Sequence, residues 1–103
     1  MDKMNAWINP NICKSFTVAV NNTTTPLVSQ LCSEVILRNI GANDVLVYQL
    51  KEDRSGLETD YFTVKPNTEF TFRGVVWSSD LSVKSSSGST ITYRTQYYSL
   101  LTR

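Results

Sequence analysis

The chain has 103 residues, 41% apolar and 18% charged, with a net charge of +1 and no histidine. That is one domain's length of chain, enough to bury roughly two-thirds of its unfolded surface. It lacks the basic surplus from which a nucleic-acid binder draws its phosphate affinity, and without histidine it lacks Ser-His-Asp and Cys-His catalysis and most zinc sites.

Residues 1–12 read as a polar N-terminal arm, broken by Asn5, Asn9, Pro10 and Asn11, with the sandwich domain following over 13–103. Trp7 and Ile8 are the large apolar pair in that arm. They either fold back on their own domain or dock on a neighbouring subunit. The arm has no apolar run of about 7–15 residues, so no secretory signal is expected. Nor does the chain hold a run of about 18 apolar residues to cross a membrane. Cys13 and Cys32 are accordingly expected to stay as thiols, small and apolar in character.

The first strand is expected over Cys13–Val20, with Phe16, Val18 and Val20 on one face at period two. Asn21–Pro26 reads as loop, and Leu27–Leu31 as a short edge strand. "EVILRN" (34–39) and "DVLVYQL" (44–50) have the β-branched and aromatic content of strands. The intervening "IGAN", with Gly41 and Asn43 tolerant of positive φ, predicts a hairpin with a longer or bulged turn.

Lys51–Asp60 reads as a polar connection around Ser55-Gly56, and "YFTV" (61–64) as a short strand stopped by "KPN". "TEFTFRG" (68–74) alternates, with Phe70 and Phe72 inward and Thr71 and Arg73 outward, and "VVW" extends it past a kink at Gly74. "DLSVK" (80–84) places Leu81 and Val83 on one face, and "SSSGS" (85–89) is a flexible tip. Thr90–Tyr98 is the last strand, with Ile91, Tyr93 and Tyr97 on one side and Thr92, Arg94, Gln96 and Tyr98 on the other.

Seven to eight short strands without a helical period predict an all-β fold. The expected architecture is a single small antiparallel β-sandwich, jelly-roll or Ig-like. The "VIL" and "VLVY" runs are apolar on both faces, where a sandwich strand needs one. Either a loop or the arm covers the second face, or another subunit does. The candidate interface is therefore Trp7, Ile8, Ile36, Leu46, Tyr48, Arg94 and Tyr98.

No catalytic, cofactor-binding or metal-ligating group emerges. The glycines are isolated, with no phosphate-binding loop. The acids fall in polar turns: Glu52, Asp53, Glu58 and Asp60 in one connection, Asp44 and Asp80 at strand starts. Their order does not follow the D-x-D-x-D-G calcium loop.

An ordered run of features spans Phe16 to Tyr98: "FTVAV", then "PLVSQLCSEVILRN", then N-x-G-x-N-D-V-L-V-Y, then "FTVKPNTEFTF", then "SSDLSVKSSSGSTITY". In this order the chain resembles the small β-sandwich structural proteins of tailed-phage virions, although Pro66-Asn67 stands where Pro-Gly is more usual. The resemblance implies a non-enzymatic virion protein, a capsid decoration or cement protein, head-fibre anchor or head/tail adaptor. It would bind a major capsid or other virion protein and its own copies, with a trimer favoured. It would have no nucleic-acid or membrane partner and no cofactor, and would be assembled in the host cytoplasm. The alternative is a carbohydrate- or host-receptor-binding module, with Trp77, Tyr93, Tyr97 and Tyr98 as stacking platforms for a glycan. A carboxylate-pair hydrolase is the third reading, and it needs two carboxylates converging in a cleft.

Overall fold

The structure is a computed structural model and describes residues 13–97. Eight strands occur in this range: β1 Lys14–Val20, β2 Thr25–Pro26, β3 Glu34–Asn39, β4 Val45–Leu50, β5 Leu57–Val64, β6 Glu69–Arg73, β7 Leu81–Lys84 and β8 Ser89–Gln96. A 3-10 turn, Ser78–Asp80, precedes β7. The strands form two antiparallel four-stranded sheets, ordered β1-β8-β3-β6 and β2-β7-β4-β5. Every chain connection except β4 to β5 crosses from one sheet to the other. Eight strands wound in that alternating order make a jelly roll, which decides between the two expected sandwich types.

The alternation seen in the sequence lines up with the layers. Val35, Leu37, Val45, Val47, Val64, Phe72, Leu81, Val83, Ile91 and Tyr93 point between the sheets and are buried, with Val20, Leu27, Cys32 and Val75 closing the core. β3 and β4 are central in their sheets, flanked by β8 and β6 and by β7 and β5. This is why their core-facing residues are wholly enclosed.

Several expectations need correction. "EVILRN" and "DVLVYQL" are strands, but they do not form a hairpin: β3 pairs with β8 and β6, β4 with β5 and β7. The "IGAN" segment is an arch between sheets. It is held by Asn39, whose side-chain amide donates to the carbonyls of Asn43 (2.7 Å) and Val64 (2.9 Å). The Asn39 carbonyl oxygen accepts from Gly41 N–H (3.0 Å) and the Ser89 hydroxyl (2.7 Å). Neither Gly41 nor Asn43 takes a positive φ. Gly41 is required by close approach instead, since a Cβ there would lie 2.1 Å from Ser89 Oγ.

The edge strand expected at Leu27–Leu31 lies just upstream, at Thr25–Pro26, where Pro26 suits a sheet margin. β5 starts at Leu57, inside the supposed polar connection; an edge strand facing water needs no apolar run there. β6 stops at Arg73, because Gly74, at φ 76, turns the chain toward the other sheet. The "SSSGS" tip is anchored rather than loose at its start: Ser85 is buried, and its hydroxyl donates to the Asp44 carbonyl at 2.8 Å. β8 ends at Gln96, so Tyr97 falls beyond it and Thr95 takes the buried position next to Tyr93. In the "KPN" turn, Asn67 sits at φ 64 and Thr68 N–H donates to Lys65 O at 3.1 Å. This is the turn position that Pro-Gly would otherwise supply.

Candidate functional site

The candidate interface residues divide between two opposite faces. Ile36 and Arg94 lie on the outside of the β1-β8-β3-β6 sheet, directly paired across β3 and β8. They share a shallow dish of about 200 Å³ with Ser15, Arg38, Glu69 and Thr92. Further along this face, Glu34 and Arg73 face each other across β3 and β6 at 3.7 Å. Ile36 is therefore a single apolar side chain on a charged and hydroxyl-bearing face. Leu46 and Tyr48 lie on the outside of the other sheet and are half-buried. Trp7, Ile8 and Tyr98 lie outside the described residues.

Tyr48 opens onto a larger feature. Its cross-strand partner is Tyr61 on edge strand β5, with ring centroids 5.4 Å apart. The next residue, Phe62, turns to the inner side of β5 and meets the rings of Phe70 (5.1 Å) and Phe72 (5.5 Å) on edge strand β6 of the other sheet. Phe70 and Phe72 are themselves stacked at 4.6 Å. Five rings thus line the β5–β6 side of the sandwich in two groups, Tyr48–Tyr61 on the outer face of β5 and Phe62–Phe70–Phe72 on its inner side. Tyr61 is 52% exposed, Phe62 44% and Phe70 37%, because β5 and β6 end their sheets and no further strand among the described residues pairs with them.

The backbone beside these rings is protected. The β4–β5 register shifts between Tyr48 and Leu50, and the irregular part of β5 carries Glu58 and Asp60. A bulge and charges on an edge strand oppose strand-on-strand pairing, so side chains rather than main-chain groups are what this edge presents. Sequence reasoning found Leu46 and Tyr48 but missed Tyr61, Phe62 and Phe70. The available signal was adjacent aromatics in "YFTV", which place a ring on each face of one strand.

A second apolar surface lies at the end of the sandwich where β3 begins. Leu31 bridges Trp77, and both are exposed together with Val28 and Val76. Ser78 fastens this end: its hydroxyl donates to the Val28 carbonyl and accepts from Gln30 N–H at 2.8 Å. Of the aromatic residues considered for glycan stacking, Trp77 is exposed and Tyr97 half-buried, whereas Tyr93 is buried with its hydroxyl accepting from Val28 N–H at 2.9 Å.

Glu52, Glu58 and Asp80 line an open polar concavity with Lys51 and Arg54, and Arg54 pairs with Asp80 at 3.1 Å. Asp53 accepts from both the hydroxyl (2.7 Å) and the N–H (3.0 Å) of Ser55, and these bonds hold its carboxyl below the usual range. That is the geometry of a tight solvent-facing turn. Among the described residues no three Cys, Asp or Glu side chains come together to hold a metal ion. Both cysteines are free thiols. Cys32 is buried and donates to Val75 O at 3.0 Å. Burial first, and the nearby Asp80 charge second, push its pKa up to about 11.

Fold and surface together define a small antiparallel jelly-roll domain that presents aromatic side chains at one open side. No protein-family model matches the sequence, and no curated protein does so either. Among solved structures, the chain is similar to a cupin-2 domain containing protein from Shewanella frigidimarina NCIMB 400. The TM-score is 0.53 at 8% identity, covering 85% of this chain and 74% of that one. A second similar structure is PirA, at TM-score 0.45 and 17% identity, covering 88% of this chain and 96% of PirA. The first likeness is one of fold alone, and function has to be argued from the surface.

Proposed function

We propose that this chain is a non-enzymatic structural protein of a tailed-phage virion, which binds a capsid or other virion protein and its own copies, most simply as a trimer. The observation that carries the binding role is the gathering of Tyr48, Tyr61, Phe62 and Phe70 on the β5–β6 side, where Tyr61, Phe62 and Phe70 are exposed. Aromatic side chains are enriched at protein interfaces and supply much of their energy. The virion setting comes from the resemblance of the ordered segments between Phe16 and Tyr98 to phage structural proteins. The test is light scattering of the purified chain alone and with purified capsids, comparing it with Tyr61→Ser. Self-association or capsid binding that weakens in the variant supports the proposal. A chain that stays monomeric and leaves capsids bare overturns it.

Trp77 favours a second reading, a glycan- or receptor-binding module. Its ring is exposed in the loops at the β3 end, which also carry the mutually hydrogen-bonded hydroxyls of Ser29 and Ser79. Glycan-array binding abolished by Trp77→Ala would support that reading, and an empty array would remove it.

A further inference from the structure

One side of the sandwich is left open by a mismatch in strand length. β1 runs for seven residues at the edge of one sheet, whereas β2, the corresponding edge of the other, has two. Between them lies a cleft of about 190 Å³ with mostly apolar walls, built from Val18, Pro26, Leu27, Val28, Val83 and Tyr93. Among the described residues no charged side chain lines it, and its polar side chains are those of Thr25 and Tyr93. The Thr25 hydroxyl is taken up by the Thr23 carbonyl at 2.9 Å. The Tyr93 hydroxyl is only half used. It accepts from Val28 N–H at 2.9 Å, which places it at the Val28 wall of the cleft, and its own O–H has no acceptor among the described residues. Tyr93 is 2% exposed, and its ring is braced by Phe16, stacked on it at 5.0 Å. Burial raises its pKa, against a smaller opposite effect of the bond from Val28, so the hydroxyl keeps its hydrogen at neutral pH.

We propose that this cleft binds a small neutral carbonyl compound with an apolar body of about benzene size, its carbonyl oxygen accepting from Tyr93 O–H. Volume sets the body: apolar cavities of about 150 Å³ admit benzene. The walls set the charge. A carboxylate or ammonium would give up its water with no opposite charge to meet it. The free donor sets the head group. A buried O–H without an acceptor is costly, so a ligand that brings an acceptor binds better than its hydrocarbon counterpart. Water is a poor substitute, because a held water needs about two to four polar partners, and the side chains here offer it one free donor. The cleft lies at the edge opposite β5 and β6, so the inference does not depend on the proposed virion role.

The test is a methyl NMR titration of the full-length chain with acetophenone, ethylbenzene and benzoate at matched concentrations. Acetophenone should shift the methyls of Val18, Leu27, Val28 and Val83, with those of Val45 and Val47 unmoved. It should bind about three- to tenfold more tightly than ethylbenzene, the margin of one neutral hydrogen bond, and benzoate should leave the same methyls in place. Tyr93→Phe keeps the ring and should erase the margin between acetophenone and ethylbenzene. The wild-type comparison decides the matter without that variant, should the lost bond to Val28 unsettle the fold. Cleft methyls that ignore acetophenone overturn the proposal, and so does equal affinity for acetophenone and ethylbenzene in the wild type. Shifts of the Val28 and Val83 methyls with protein concentration alone would put a second copy in the cleft and overturn it too.

Discussion

Asn39 is the polar residue on which most of one end of the molecule depends. It is fully buried and uses its side-chain amide four times, joining β3, the arch, the end of β5 and the start of β8. Truncation leaves several buried partners without a bond, each at a cost of about 1–3 kcal/mol. Asn39→Ala should therefore destabilise by about 3 kcal/mol or more in urea unfolding. Thr95 is the opposite case: its hydroxyl is buried without a hydrogen-bond partner. Thr95→Val removes that group at nearly constant shape, and stability should stay level or rise by up to about 1 kcal/mol in the same assay. Cys32 adds a pH dependence. Its thiol is raised from 9.0 to about 11 in the folded chain, chiefly by burial. The folded state keeps a proton that the unfolded state has lost, so the contribution is fully present below about pH 9 and disappears as pH rises through about 11. Stability of the wild type should fall over that window more steeply than that of Cys32→Ala, as read from urea midpoints.

At the level of elements, strand positions were legible because period-two alternation records which side faces the core. Phe16/Val18/Val20, Phe72 and Leu81/Val83 lie in or against the core as their spacing implied, whereas Phe70, expected inward with Phe72, is exposed at the sheet edge. Pairing was not legible. The local turn chemistry of "IGAN" fits a hairpin, but β3 pairs with β6 and β8 far along the chain, and β4 with β7 and with its successor β5. β2 and the first half of β5 were missed for a related reason: short or solvent-facing edges carry little apolar signal. The same blindness hid most of the rings on the β5–β6 side. Leu46 and Tyr48 were recognisable from excess apolar content in a central strand. Exposure of Tyr61, Phe62 and Phe70 follows from β5 and β6 being sheet edges, a tertiary fact. The arch supplies its own test. A Cβ at residue 41 would lie 2.1 Å from Ser89 Oγ and 2.5 Å from Thr90 N, and the latter is backbone. Gly41→Ala should cost about 1–3 kcal/mol through forced separation of the arch from β8. The loss should be visible as a lower melting temperature and faster amide exchange at Ile40, whose N–H donates to Thr90 O.

For the molecule as a whole, the two outer faces make opposite demands on any association. The β1-β8-β3-β6 face offers Arg38, Arg73 and Arg94 with Glu34 and Glu69 around a single Ile36. Contacts made there would rest on exposed charges, which salt screens over about 10 Å at 0.1 M. The β5–β6 side offers rings, whose burial does not weaken with salt and strengthens with excluded salts such as sulfate. With a net charge of +1, long-range repulsion between copies is negligible, so the face in use decides the response. If the rings are the interface, association measured by sedimentation should hold constant or tighten between low salt and about 1 M. Tyr61→Ser should then weaken it by about tenfold, a loss of about 1.4 kcal/mol, typical for an interface ring outside the hottest positions. Tyr61 is the ring to remove, because it lies on the outer face against Tyr48, whereas Phe62 also packs on Phe72 and would disturb the fold. Association that falls steeply with salt and is indifferent to Tyr61→Ser would move the interface to the arginine-bearing face. Ile36 and Arg94 would then be its centre.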